Sequence, residues 1–335
     1  MSAGGTFSRT GGLVLRATYR DGDFDSHLVD CPFLFRHDGA WHMTYVGWDG
    51  VGYQTGLARS DDLESWQRLG LIWARDPSDP VRRYNAAITG LLRSPELFGP
   101  AEPLRHDGRY LATYHAYPGA GYEAGSGVIG FCASDDLRTW HPVGGLLRPG
   151  DGAAWERGGL YKSWILRRDG TFFLFYNAKD RPDSRWREQT GLATSTDLVH
   201  WERHPANPVL PNGPAGSFDE FFASDPAVYW DGRQWVMWYF GLAADGHART
   251  GLATSADLVT WHKKDRLVLD VGRPGDVDES HAHKAVAVAE DGRVKLAYTA
   301  VRRTGPFPIG SGQHDEIRGI ALAAAVASPR DQTID

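Results

Sequence analysis

Short apolar runs separated by Asp-Gly pairs set the pattern of this chain. Phe33-Leu34-Phe35 precedes Asp38-Gly39, and Trp41-His42-Met43-Thr44-Tyr45-Val46 follows it. An Asp-Gly loop between apolar runs signals a β-hairpin, because primed two-residue turns need positive φ at both central residues. The pair recurs at Asp107-Gly108, Asp169-Gly170, Asp231-Gly232 and Asp291-Gly292, in steps of 69, 62, 62 and 60 residues. Seven residues after each Asp stands a large aromatic: Tyr45, Tyr114, Tyr176, Trp238 and Tyr298. The runs Phe172-Phe173-Leu174-Phe175-Tyr176 and Trp235-Val236-Met237-Trp238-Tyr239-Phe240 are unbroken, as in strands covered on both faces.

A second marker closes each unit: Gly56-Leu57, Gly130-Phe131, Gly191-Leu192, Gly251-Leu252 and Gly319-Ile320. Four of these continue into Ser-x-Asp-Leu-x-x-Trp, starting at Ser60, Ser134, Ser195 and Ser255. The Gly-apolar segment reads as a third strand, and the Asp-Leu-x-x-Trp after it as a turn into an outer fourth. There Asp hydrogen-bonds its own backbone and Trp packs, so this motif is structural rather than chemical. Three to four strands per repeat, five times over, predict an all-β fold: a five-bladed β-propeller of four-stranded antiparallel blades around a central channel. The blades are expected at roughly 25–75, 95–150, 158–205, 218–265 and 278–328 of a single domain, with an insertion at 76–99.

Composition narrows the function. The chain has 335 residues, 41% hydrophobic and 23% charged, enough for a large core. A net charge of −6 with no basic run argues against nucleic acid. No stretch of 18 apolar residues crosses a membrane, and polar Met1 to Thr10 holds no signal core, so a cytoplasmic location is expected. Cys31 and Cys132 provide neither a disulfide framework nor metal-ligand spacing. Thirteen Trp and thirteen Tyr exceed what packing needs and suit the faces of sugar rings.

Propeller topology decides which residues meet, because all first strands begin at one rim of the channel. Blade one opens with Asp30, blade two with Glu102, blade three with Tyr161-Lys162-Ser163-Trp164, blade four with Asp219, Glu220 and Asp225, and blade five with His281-Ala282-His283-Lys284. Loops on the same rim add Trp48, Tyr122, Glu123, Lys179 and Arg302. Buried charge is costly unless paired, so a ring of ionisable groups opening apolar strands points to a polar ligand site. The expected sugar platforms are Trp48, Tyr122 and Trp164.

Asp30-Cys31-Pro32, Ser224-Asp225-Pro226 and the repeated Ser-x-Asp-Leu-x-x-Trp resemble the five-bladed propeller glycoside hydrolases, the group holding families 32, 43, 62, 68, 117 and 130. The resemblance implies that an Asp entering blade one is base or nucleophile, a role that Asp30 matches. It implies an Asp entering blade three, where this chain has Lys162, and a Glu acid entering blade four. Glycoside cleavage needs one carboxyl to protonate the leaving oxygen and a second to activate water or attack. The expectation is that Asp30 faces Asp225, with Glu102 or Glu220 as proton donor. Lys162, Lys179, His283, Lys284 and Arg302 are either counter-charges or a site for a uronic carboxylate or inorganic phosphate, the latter making the enzyme a phosphorylase. Some relatives carry Ca²⁺ in the channel, but no acidic loop of Ca²⁺-binding spacing occurs, and no cofactor is expected. The expected function is hydrolysis of a terminal sugar from a small carbohydrate, with phosphorolysis or non-catalytic sugar binding as alternatives.

Overall fold

The computed structural model describes residues 7–121, 123–182, 186–304 and 315–325. Nearly all regular structure is β. The first strand, β1 (Phe7–Arg16), stands apart in sequence from the unit it completes. Unit one contains β2 (Leu28–His37), β3 (Ala40–Trp48), β4 (Tyr53–Ser60) and β5 (Gln67–Trp73) in consecutive antiparallel order. Unit two contains β6 (Ala87–Leu91), β7 (Arg105–His106), β8 (Arg109–Ala116), β9 (Val128–Ser134) and β10 (His141–Leu147). Unit three contains β11 (Gly159–Arg168), β12 (Thr171–Lys179), β13 (Glu188–Ser195) and β14 (Glu202–Arg203). Unit four repeats that plan with β15 (Phe222–Trp230), β16 (Trp235–Leu242), β17 (Ala248–Ser255) and β18 (His262–Lys263). Unit five has β19 (His281–Glu290), β20 (Arg293–Arg303) and β21 (Glu316–Ala325), and its fourth strand is β1, antiparallel to β21. The leading strands touch in sequence around the molecule: β2 with β6, β6 with β11, β11 with β15, β15 with β19, and β19 with β2. Among the described residues no helix is long and apolar enough to cross a membrane.

Backbone angles explain the Asp-Gly repeat. Asp38, Asp107, Asp169 and Asp291 each sit at φ 49, followed by Gly at φ 71 to 81, as a two-residue primed turn requires. The fourth turn differs. There Asp231 N–H donates to the Gln234 carbonyl, and Trp230 pairs with Trp235, so the loop is two residues longer than the one between His37 and Ala40. The Asp-Gly pair also sits one position nearer the leading strand than in unit one, so the residue equivalent to Tyr45 is Tyr239 rather than Trp238.

The same Tyr explains the Gly-apolar repeat. Tyr45, Tyr176, Tyr239 and Tyr298 each donate a hydroxyl proton to a buried acid twenty residues earlier: Asp25, Glu156, Asp219 and Asp278, at 2.9 to 3.1 Å. A cation from the outer strand meets each acid: Arg68, Arg203, Lys263 and, from β1, Arg9. The Tyr ring lies over the Gly of the next strand. A Cβ on Gly191 would stand 2.7 Å from both Cε2 and Oη of Tyr176, nearer than side chains pack. Asp219, expected at the sugar site, belongs to one of these peripheral triads.

The Ser-x-Asp-Leu-x-x-Trp motif is a turn, as expected. Ser60 Oγ donates to Asp62 Oδ1 at 3.0 Å, and that oxygen accepts the Glu64 and Ser65 amides at 2.8 and 2.7 Å. Leu63 turns at φ 67 with its side chain buried, and Trp66 Nε1 donates to the Leu63 carbonyl at 2.7 Å.

Unit two departs from the even pattern. Its leading strand β6 lies inside the span expected as an insertion, and it breaks after Leu91 before resuming as β7. The intervening residues cross one end of the channel: Leu97 N–H donates to the Trp230 carbonyl, Trp230 N–H to the Pro95 carbonyl, and Arg36 N–H to the Ala101 carbonyl. Arg93 is buried there. Its guanidinium donates to the carbonyls of Leu34 and Ala287, at 2.9 and 3.0 Å, and lies over the rings of Phe33, Trp164 and Tyr229. One end of the channel is thereby plugged.

Gly191→Ala is expected to lower stability by roughly 1–3 kcal/mol through overpacking, and by much less in a Tyr176→Ala background. Urea unfolding of the four proteins in this cycle measures the coupling; equal penalties in both backgrounds contradict the Gly–Tyr account.

Candidate active site

At the end opposite Arg93 every leading strand carries an irregularity at one level. Register slips between Asp30 and Phe33 in β2, Ile88 and Gly90 in β6, Tyr161 and Ser163 in β11, Ser224 and Ala227 in β15, and His283 and Val286 in β19. A bulge inserts an unpaired residue and re-aims its side chain. The inserted positions include Cys31, Lys162, Asp225 and Lys284, all lining one cavity of about 700 Å³. Cys31, Asp225 and Lys284 adopt φ of 50, 51 and 56, left-handed backbone that non-glycine residues rarely occupy. Strain of this kind persists where the surroundings over-determine it, which is typical of functional sites.

The cavity has two chemically distinct walls. On one, both oxygens of Asp30 are engaged twice: Oδ2 takes Lys284 Nζ at 2.8 Å and Arg318 at 2.6 Å, and Oδ1 takes Thr299 Oγ1 and the Cys31 amide, both at 2.7 Å. Burial alone would raise its pKa, but Lys284 and Arg318 outweigh burial and hold it well below the usual carboxylate range. His283 is kept neutral by burial, with Lys284 and His281 adding to the effect. His115 is pushed down to about 3 by burial first, then by Lys284 and Lys162.

The second wall is acidic. Glu188, the first residue of β13, is buried and accepts Trp186 Nε1 on Oε1 at 2.7 Å and Ser224 Oγ on Oε2 at 2.8 Å. Burial, then the charges of Glu123 and Asp225, push its pKa up to about 7. Asp225 is fastened by a reciprocal pair with Asn177, whose amide donates to Oδ1 and accepts the Asp225 N–H. Its other oxygen, Oδ2, is buried with no hydrogen-bond partner among the described residues. The arrangement therefore holds a carboxyl protonated near neutrality beside one with an unclaimed oxygen.

Of the residues singled out from sequence, Asp30, Asp225, Glu123, Lys162, His283 and Lys284 share this cavity. Glu102 does not. The break in unit two's leading strand carries it to an exposed position, and Thr89 stands at the bulge instead. Glu220 lies in the loop before β15, its carboxylate accepting the Gly216 amide at 2.9 Å, outside the cavity lining. Trp48 is buried against Tyr53, and Trp164 packs beneath Arg93 at the plugged end, so neither presents a face to sugar. Arg302 lies outside the lining, which takes Arg303 and Arg318. Lys179 is fully buried behind the wall, its ammonium over the rings of Tyr117, Tyr161 and Trp186 at 5.3, 5.7 and 4.6 Å. Tyr122 lies outside the described residues. Among the described residues no group of three His, Cys, Asp or Glu side chains is placed to hold a metal ion.

Sequence reasoning missed Glu188, Trp186 and Arg318. A signal for Glu188 existed. Three residues before the repeated Gly stand Tyr53, Gly127, Glu188, Ala248 and Glu316, so the third strands also begin at the cup, and two of them begin with acids. Trp186 is the tryptophan that lines the cavity where Trp48 and Trp164 do not.

The chain is similar to known carbohydrate-active proteins. Residues 97–298 match the glycosyl hydrolases family 32 N-terminal domain. A raffinose invertase of Escherichia coli is 28% identical over 161 residues, covering 47% of this chain and 32% of that protein. A 1,2-beta-oligomannan phosphorylase of a Thermoanaerobacter species is 26% identical over 157 residues, covering 45% of this chain and 43% of that protein. The chain thus matches less than half the length of these curated relatives. A solved structure described as a glycoside hydrolase superposes with a TM-score of 0.77 at 27% identity, covering 97% of this chain and 94% of that protein.

The raised pKa of Glu188 has a stability signature. A buried acid whose folded pKa exceeds its unfolded value stabilises fully below about 4.5, and that contribution is lost as pH rises to about 7. Relative to Glu188→Gln, the parent is expected to lose on the order of 1–3 kcal/mol between pH 4.5 and 8. Chemical denaturation across that range measures the difference, and a pH-independent gap contradicts the assignment.

Proposed function

The chain belongs to the glycosyl hydrolases family 32 N-terminal domain family, a family of β-propellers, and on that premise we propose that it cleaves a terminal sugar from a glycoside in the cup. The five antiparallel units are, in this reading, the blades of one propeller domain spanning the chain. Glu188 is the proton donor. Its proton passes to the glycosidic oxygen as the bond to the anomeric carbon breaks, so the leaving group departs neutral. Asp225 is the base, and its unclaimed Oδ2 takes the proton of the attacking water. Asp30 cannot take that role while its oxygens are filled. It fixes Lys284 and Arg318 at the wall instead. Trp186 is the platform for the sugar ring and also holds the donor through Nε1.

The observation that carries this reading is the pairing within one cavity: an acid protonated near neutral pH next to a fixed carboxylate with an open oxygen. Two acids in different environments, one a proton donor and one a base, are what glycoside cleavage demands. A second reading, phosphorolysis, draws on the phosphorylase relative and on Lys162, Lys284, Arg303 and Arg318 in the lining. In it, phosphate attacks the anomeric carbon and a sugar 1-phosphate leaves.

Turnover of a panel of chromogenic glycosides is expected to fall roughly 10²–10⁴-fold in both Glu188→Gln and Asp225→Asn. Unchanged turnover in both ends this proposal; absolute dependence on phosphate, with sugar 1-phosphate as product, selects the second reading. Activity of the parent is expected to decline as pH rises through about 7, because the donor loses its proton. Glu123→Gln removes a charge that opposes ionisation of Glu188, so the decline should move to lower pH in the pH–rate profile. A shift in the opposite direction contradicts the electrostatic account.

A further inference from the structure

The charges lining the cup do not all cancel. Lys284 and Arg318 are committed to Asp30, and Arg318 also meets Glu316 at 2.7 Å. Arg303 feels Glu316 as its favourable charge. Lys162 is different. It sits on the β11 bulge, 4% exposed, and among the described residues its ammonium has no carboxylate or carbonyl partner. Its hydrogen bond runs through the backbone, from its amide to His115 Nδ1 at 3.3 Å. Around His115 the charges of Lys284 and Lys162 outweigh the opposing charge of Asp30, and the imidazole itself is neutral, so this corner of the cup is net positive.

A buried ammonium is expensive unless paired. Lys179 adds to the imbalance from behind the wall: its Nζ is buried with no hydrogen-bond partner among the described residues, and aromatic rings lie around it. Both lysines come from unit three, and both are tied to one neutral histidine by their fields. Such a corner has the properties of a preformed anion site: fixed positive charge, low local dielectric and an opening to a cavity of sugar size.

Building on the proposal that the cup binds a sugar, we propose that Lys162 is the centre of an oxyanion subsite, and that the substrate is an anionic glycoside bearing a carboxylate or phosphate on its sugar. The polar division of the cup then orients the ligand. The anionic group lies toward Lys162 and Lys284, and the scissile bond lies toward Glu188 and Asp225. Neutral sugars of the same shape leave Lys162 unpaired and bind weakly. Lysine suits this role as a compact point charge with three donors, and it accepts either oxyanion without demanding the planar geometry of a guanidinium fork.

The test is binding, independent of turnover. Calorimetric titration of the full chain with glucuronate, galacturonate, glucose 6-phosphate, inorganic phosphate, glucose and galactose compares anionic ligands with neutral counterparts. At least one sugar acid or sugar phosphate is expected to bind tenfold or more tightly than its neutral parent, with an advantage that shrinks as salt rises. Lys162→Met should erase that advantage while leaving neutral-sugar affinity in place and without lowering the melting temperature, and Lys162→Arg should restore much of it. A preference for sugar acids identifies the carboxylate, and a preference for sugar phosphates the phosphate ester. The proposal is overturned if anionic and neutral sugars bind alike, if none binds, or if inorganic phosphate alone responds to Lys162. It is overturned too if Lys162→Met weakens every ligand equally. Tight binding of an anionic sugar without cleavage of any glycoside would instead defeat the catalytic reading and leave this one standing.

Discussion

Five leading strands converging on one axis create the problem on which the rest of the structure depends: the axis has to be filled without closing both ends. Arg93 fills one end. It enters from the interrupted strand of unit two, caps carbonyls of units one and five, and lies under aromatic rings of units one, three and four. Among the described residues no carboxylate accompanies it. Burial pulls its pKa down, yet a guanidinium stays charged in proteins, so carbonyl dipoles and ring faces bear the charge. The opposite end cannot pack in the same way. There the bulges widen each leading strand and turn Cys31, Lys162, Asp225 and Lys284 toward the axis, and the space between them is the cup.

Much of this was legible as a repeat. The Asp-Gly turns, the Gly-apolar pairs and the Ser-x-Asp-Leu-x-x-Trp turns locate strands and their order because each encodes a local constraint: positive φ, absence of a Cβ, or a self-bonded turn. Such constraints survive any tertiary context. Where sequence and structure part, long-range events intervene. Reading unit two as one unbroken strand places Glu102 at the cup, whereas the real strand leaves the sheet after Leu91 to deliver Arg93 to the far end. Counting from the turn aligns Trp238 with Tyr45, but the fourth Asp-Gly pair sits one position earlier in its loop, which moves the equivalence to Tyr239.

Aromatic residues show the limit most clearly. Trp48, Trp164 and Trp186 look alike in composition, and only packing separates a core Trp under an arginine from one on the cavity wall. Glu188 escapes sequence reasoning for a related reason: it opens a third strand, not a leading one. The governing rule is geometric. Leading strands and third strands begin at the same end, so both deliver side chains to the cup. The carboxylate best suited to donate a proton is the one held by Trp186 and Ser224 while facing two like charges, and no local pattern announces that combination.

The periphery and the cup solve the burial of charge in opposite ways. Four times over, an acid between units is satisfied by a tyrosine and a cation, as in Asp25 with Tyr45 and Arg68. At the axis, Asp30 is saturated in a comparable way. Beside it, Asp225 keeps an orphaned oxygen, His283 makes no hydrogen bond through either ring nitrogen, and the buried Lys179 ammonium has no acceptor among the described residues. Each omission costs stability, since an unsatisfied buried polar group forfeits its hydration without recompense. Two of these omissions, at Asp225 and His283, line one cavity on strands already strained into left-handed backbone, as a site shaped for a ligand's polar groups requires. A fold selected for stability alone would have paired them.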